Sequence, residues 1–153
     1  MTSDHGNGRP REASGSHPDL RPAFMNLAPA AVRTKGTVLF RQGETPRGIF
    51  LLLEGRARLF LADDRGRNIT FRRVGPGYAL GLPGTILGQR YLFSAELVED
   101  SKVVFVPRDQ VLEFLHTRSD LCLDVVKLLG MELAEMPVTS IHHASRRKRS
   151  QGH

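Results

Sequence analysis

Lys35–Glu44 reads KGTVLFRQGE, Gly48–Leu61 reads GIFLLLEGRARLFL and Val74–Gly84 reads VGPGYALGLPG. The order of these three stretches decides the fold. Thr37–Phe40 is a short apolar segment closed by the Gln42-Gly43-Glu44 turn. Ile49–Leu53 is an unbroken apolar run ended by Gly55, too short for a buried helix and suited to a fully buried strand. From Arg56 to Ala62 the pattern alternates, with Ala57, Leu59 and Leu61 on one face. Asp63–Arg67 supplies a hairpin loop whose Gly66 accepts a positive φ. Alternation resumes from Asn68 to Val74 and predicts Ile69 and Phe71 inward, with Asn68, Thr70 and Arg72 outward. Phe93–Val98 and Lys102–Val106 read as a further hairpin across Glu99-Asp100. Short strands at regular intervals between glycine turns predict an all-β sandwich or barrel.

After Pro107 the period changes from two to that of a helix. Gln110–His116 carries Val111, Leu112, Phe114 and Leu115 as a short amphipathic helix. A second, longer helix follows, with Ser119 as its predicted N-cap. Cys122, Val126, Leu129, Leu133 and Met136 recur at spacings of four, three, four and three, and Leu121, Val125 and Leu128 widen the stripe. Pro137 ends it, because the ring clashes with the preceding turn and carries no N–H. Such a wide stripe predicts packing on the barrel along one side and on a partner helix along the other. Leu121, Val125, Leu128, Leu129 and Leu133 are the predicted dimer interface, for a homodimer or a mixed dimer. Cys122, on the stripe, reads as a small buried hydrophobe.

The chain has 153 residues, 40% hydrophobic and 25% charged, which is ordinary for one folded domain with tails. Residues 1–22 are rich in Gly, Ser, Pro and charge and are predicted to remain disordered. Phe24–Val32 is expected to add one or two helical turns, 23–136 forms the domain, and 137–153 reads as a flexible basic tail. The net charge of +6 is unevenly placed. Arg146, Arg147, Lys148 and Arg149 carry four of those charges, and three acids balance three arginines up to Arg21, so the rest of the chain carries only +2. The high pI therefore describes a tail rather than a nucleic-acid-binding face. Weak, salt-sensitive contact to phosphate is the most that four charges give. No apolar run reaches the ~18 residues of a membrane span, and no apolar leader precedes the domain. A single cysteine fits a reducing cytoplasm.

The quoted stretches resemble the cyclic-nucleotide-binding domain of the Crp–Fnr, or catabolite-activator-like, superfamily. The resemblance covers about residues 24–136 and rests on Gly36–Phe40, the Gln42-Gly43-Glu44 turn, Gly48–Gly55, Val74-Gly75-Pro76-Gly77, Gly81 and the strand ending in Val106-Pro107. It implies a mainly β fold, a double-stranded β-helix (jelly roll) barrel with flanking helices: a short helix after the barrel, then a longer helix of the dimerisation type. It also implies a phosphate cassette, which in nucleotide-binding members begins Gly-Glu-Leu and ends Arg-Ser/Thr-Ala. There the Glu accepts from the ribose hydroxyl and the Arg neutralises the cyclic phosphate. Here Gly81 is followed by Leu82 and Pro83, and the far end reads Phe93-Ser94-Ala95. Both charged positions are apolar. Loss of two charge-assisted contacts, at roughly 1.5–3 kcal/mol each, removes about a hundred- to ten-thousand-fold in affinity. Ordinary cAMP binding is therefore not expected, unless Arg90, three residues before Phe93, supplies a substitute cation.

The predicted degenerate pocket comprises Gly81, Leu82, Pro83, Arg90, Phe93, Ser94 and Ala95, with Ile86, Leu87 and Tyr91 as further lining and no named ligand. Lys35–Pro107 contains neither His nor Cys, so no metal, haem or iron–sulfur cofactor is expected in the barrel. The same absence counts against a metal-dependent cupin enzyme, and no nucleophile–base pair can be assembled. His142-His143 reads as a chance pair in the tail, and Glu44 and Glu54 read as turn residues. Transcription factors of the family continue into a winged helix-turn-helix, whereas this sequence has 17 residues after Met136. The expectation is a stand-alone regulatory or sensor domain that does not read DNA by itself. The alternative is a ligand-free interaction module that forms mixed dimers with a DNA-binding relative.

Overall fold

Buried strands of nearly continuous apolar sequence demand cover on both faces; a second sheet covers the inner face, and helices pack against the strand Gly48–Glu54 as well. The computed structural model describes the backbone of residues 11–12 and the full residues 17–137. The predicted basic tail and His142-His143 lie outside the described residues. Elements in chain order are β1 (Arg11–Glu12), α1 (Arg21–Phe24), β2 (Ala30–Arg33), β3 (Val38–Phe40), β4 (Gly48–Glu54), β5 (Ala57–Ala62), β6 (Asn68–Val74), β7 (Ala79–Leu80), α2 (Leu82–Leu87), β8 (Ser94–Leu97), β9 (Ser101–Pro107), α3 (Arg108–Thr117), a 3₁₀ turn (Ser119–Leu121) and α4 (Cys122–Glu135). One sheet runs β1-β6-β5-β8-β3 and the other β2-β9-β4-β7. All pairings are antiparallel except β1 with β6. This is the mainly β, jelly-roll architecture with flanking helices.

β4 shows why the run Ile49–Leu53 is continuous. Ile49, Leu51 and Leu52 are fully buried, while Phe50 lies half-buried on the outer face against Phe105, with ring centroids 4.9 Å apart. Leu80, Val104 and Val106 of the same sheet and Leu59, Val74 and Ala95 of the other belong to the same core cluster, all inaccessible to solvent. At about 25 cal/mol per Å² of apolar area, each such side chain contributes roughly 1.5–3 kcal/mol on burial. β5 and β6 form the expected hairpin. Asp63 Oδ1 accepts from the N–H groups of Arg65 and Arg67, and Gly66 turns the chain at φ 81°.

Several expectations change in three dimensions. β8 and β9 do not pair with each other: β8 lies between β3 and β5, and β9 between β2 and β4. The Glu99-Asp100 segment is thus a corner at which the chain changes sheets, held by Asp100 Oδ1 accepting from the Lys35 N–H. Local alternation cannot distinguish a corner from a hairpin, since both join two short strands by a polar turn. The segment expected to be helical over Phe24–Val32 divides, with α1 ending at Phe24 and Ala30–Arg33 paired to β9. Residues before 23 also take part: β1 adds to β6, and Leu20 is 1% exposed beneath Gly77 O, to which its N–H donates. Ser119 does not cap α4 but opens the 3₁₀ turn, and Leu121 occupies the α4 N-cap position without a side-chain bond.

α4 reverses the expected division of its stripe. Leu121, Val125 and Leu128 are buried within the chain itself, Val125 and Leu128 as part of its main core, and Leu129 is half-buried. Of the predicted dimer interface only Leu133, 60% exposed, remains fully open, now beside Leu123 and Val126. Cys122 is exposed, not buried. The reason is angular: residues 121, 125, 128 and 132 form one line along the helix, and that line meets the barrel.

Candidate ligand-binding site

β7 delivers the chain to Gly81, whose φ of 91° lies in the left-handed region that only glycine enters readily. A Cβ at this residue would lie 3.1 Å from Tyr91 Cε1 and 3.3 Å from Phe40 Cε2. Pro83 in the first turn favours the six-residue α2, because its missing N–H is unneeded there. Thr85 and Tyr91 both donate their hydroxyls to the Gly48 carbonyl, at 2.9 and 2.8 Å, which ties α2 and the following loop to β4. The loop then enters β8 through Phe93.

Phe93 points into the barrel and is 2% exposed. Its ring meets Phe71 edge to face at a centroid distance of 5.4 Å and lies 6.2 Å from Phe40. Leu82 and Ala95 are fully buried. The Ser94 hydroxyl accepts from the Gln42 N–H at 2.8 Å, so it serves the backbone of the β3–β4 turn. Gly81, Leu82, Phe93, Ser94 and Ala95 are thus all buried and enclosed by neighbouring strands. Pro83 is half-buried at the start of α2. Arg90 does not join them: it is exposed on the rim and donates to the Gly43 carbonyl at 3.0 Å. Ile86 is half-buried and Leu87 is 65% exposed, so neither lines an interior cavity. Two surface clefts among the described residues are lined by neither Gly81, Leu82, Phe93, Ser94 nor Ala95.

A buried polar cluster joins the barrel to α4, and sequence alternation misassigned one of its members. Arg72, expected outward, is 2% exposed and pairs with Glu135 at 2.7 Å. The β5–β6 register shifts between Leu59 and Phe60, so β6 does not keep a strict period of two. Beside Arg72, the Tyr78 hydroxyl donates to Glu132 Oε2 at 2.5 Å. Burial pushes the Glu132 carboxyl up to about 8, against the opposing pull of the Tyr78 hydrogen bond and the Arg72 charge. Burial, followed by the nearby Glu132, raises the Tyr78 hydroxyl well above its ordinary value. The one sequence signal was Glu132 itself, four residues beyond Leu128 on the buried line.

Among the described residues no group of three His, Cys, Asp or Glu side chains gathers to hold a metal, and no helix is long and apolar enough to cross a membrane. A family model for the cyclic nucleotide-binding domain matches residues 32–118, more than half of the sequence. The cyclic AMP receptor protein of Thermus thermophilus is 26% identical over 125 residues, and the match covers 74% of this chain but 58% of that protein. The solved structure of the Thermus thermophilus catabolite activator protein superposes with a TM-score of 0.67 at 23% identity, covering 80% of this chain and 58% of the other. A cyclic nucleotide-binding-like protein from Brucella abortus superposes with a TM-score of 0.52 at 28% identity, covering 64% and 83%. With its jelly roll, its two trailing helices and the family match over residues 32–118, the chain belongs to the cyclic nucleotide-binding domain family.

Proposed function

We propose that residues 23–136 form a Crp-type regulatory domain whose phosphate cassette is degenerate and whose barrel interior is filled by its own side chains. The observation that carries this reading is Phe93, 2% exposed between Phe71 and Phe40. It stands where the resemblance puts the phosphate-binding arginine, and Leu82 stands where it puts the ribose-binding glutamate. A cyclic phosphate entering here would meet aromatic rings and a buried leucine, and its charge would lose hydration without gaining a donor. Arg90, tied to Gly43 O on the rim, leaves that deficit in place. On this reading the domain transmits no conventional cAMP signal. The lone cysteine accords with a cytoplasmic setting.

A thermal-shift titration with cAMP and cGMP at millimolar concentration tests it. A ligand at about a hundred times its Kd adds ~2.7 kcal/mol, a shift of several degrees. The expected result is no shift on a well-folded melt. A clear saturating shift would overturn the degenerate-pocket reading.

A second reading, protein association, is favoured by the outer face of α4. Leu123, Val126 and Leu133 are 63%, 62% and 60% exposed. A second copy of this helix, or the equivalent helix of a DNA-binding relative, would cover that face. Homodimerisation is read by sedimentation, and mixed dimers by co-purification with a larger relative.

A further inference from the structure

The larger surface cleft, of about 920 Å³, lies outside the barrel interior. Arg33, Arg41, Arg47 and Arg90 line it, and all four are exposed. They come from the end of β2, the β3–β4 turn and the loop before β8, separated in sequence but brought to one rim. None of the four takes part in an ion pair among the described residues. Glu44 is the lone carboxylate in the lining, and its Oε1 accepts from the Arg41 N–H. The cleft is therefore strongly positive, where a merely solvated surface would intersperse both signs.

Its floor is aromatic. Tyr91 stacks on Phe40 at 4.1 Å, Phe40 on Phe50 at 6.3 Å, and Phe50 meets Phe105 at 4.9 Å. Phe50 and Phe105 remain half-buried and present open ring surface. The rim is held in place before any ligand arrives. Gly43 N–H donates to Tyr91 O at 2.9 Å, Tyr91 N–H to Glu44 O at 3.0 Å, and Arg90 to Gly43 O at 3.0 Å. Preorganisation of this kind lowers the ordering penalty on binding. Guanidinium groups fit phosphate and carboxylate oxygens with two parallel hydrogen bonds.

We infer that this cleft binds a small polyanion bearing a flat ring, with its anionic oxygens on Arg33, Arg41, Arg47 and Arg90 and its ring against Phe50 and Phe105. The volume lies within the range of small-molecule sites, about 300–1,000 Å³. The site is separate from the degenerate cassette and does not depend on the reading of Phe93.

Isothermal titration of the full chain at low salt tests the inference with three probes: ATP, benzene-1,3,5-tricarboxylate and inorganic tripolyphosphate. The first two carry a ring with phosphate or carboxylate oxygens, and the third carries phosphate alone. Saturable binding is expected for at least one ringed probe, tighter than for tripolyphosphate. Substitution of Arg41 and Arg47 together by alanine is expected to weaken it about tenfold or more. Both side chains are exposed and outside the ion pairs of the described residues, so an unchanged melting temperature checks that the fold is kept. The double substitution Arg41→Lys, Arg47→Lys, which keeps charge but not the planar fork, is expected to restore only part of the affinity. No binding of any probe at millimolar concentration would overturn the inference, as would binding indifferent to the alanine substitutions. Tripolyphosphate binding as tightly as the ringed probes would remove the aromatic floor from the site and overturn the ligand class.

Discussion

Glu132→Gln is expected to convert a strongly pH-dependent stability into a flatter one. In the folded protein the Glu132 carboxyl is fully buried, is pushed up to about 8, and is faced by Tyr78 and Arg72, the latter paired with Glu135. Its ordinary value is 4.5. The folded state thus holds its proton more tightly than the unfolded state. The contribution is fully present below about pH 4.5, falls as pH rises, and levels off above about pH 8. Each pH unit in that window removes about 1.4 kcal/mol, so the full fall is on the order of 5 kcal/mol. The substituted amide keeps the shape and the acceptor for Tyr78 but cannot ionise. Urea unfolding of both proteins at several pH values from about 5 to 8 should show the variant gaining about 3–4 kcal/mol on the native protein across the range. Subtraction cancels other titrating groups, including His17, whose ring lies 5.0 Å from Tyr78 and whose value burial lowers. A stability difference that stays constant with pH would refute the reasoning, since it would mean that Glu132 ionises in the fold without penalty.

Phe93→Ala should act as a core truncation and destabilise the domain by about 3–5 kcal/mol; a loss below about 1 kcal/mol in urea unfolding would show that the ring fills no essential volume. Gly81→Ala forces an alanine to φ 91° within 3.1 Å of Tyr91, and should lower stability by about 1–3 kcal/mol, with an unchanged unfolding midpoint as the contrary result. If α4 self-associates through its outer face, Val126→Glu with Leu133→Glu should yield a monomer in sedimentation while leaving the melt within a few degrees, because both side chains are exposed. Identical sedimentation of the variant and an associated native protein would move the interface elsewhere. Cys122 is exposed and should react with a thiol reagent in the native monomer without denaturant; protection in the monomer would place it back in the core.

The strand-rich half of the chain was legible because its signals are local. A five-residue apolar run closed by glycine has few ways to be buried, and Asp63–Arg67 encodes its own turn. It is the family resemblance, read along the same chain order, that sets Leu82 and Phe93 against the charged positions of a phosphate cassette. Sequence by itself therefore determined the strand-rich half, the change to helix after Pro107, and the apolar character of positions 82 and 93. Tertiary structure decided what depends on register, rotation and convergence. The corner at Glu99-Asp100 sends β8 and β9 to different sheets. The register shift opposite β6 turns Arg72 inward to meet Glu135. The rotation of α4 buries Leu121, Val125 and Leu128 and leaves Val126 and Leu133 outside. The four arginines of the surface cleft, drawn from positions between 33 and 90, share a rim only after two sheets have packed. Periodicity specifies which residues share a face, but only long-range packing specifies what that face meets.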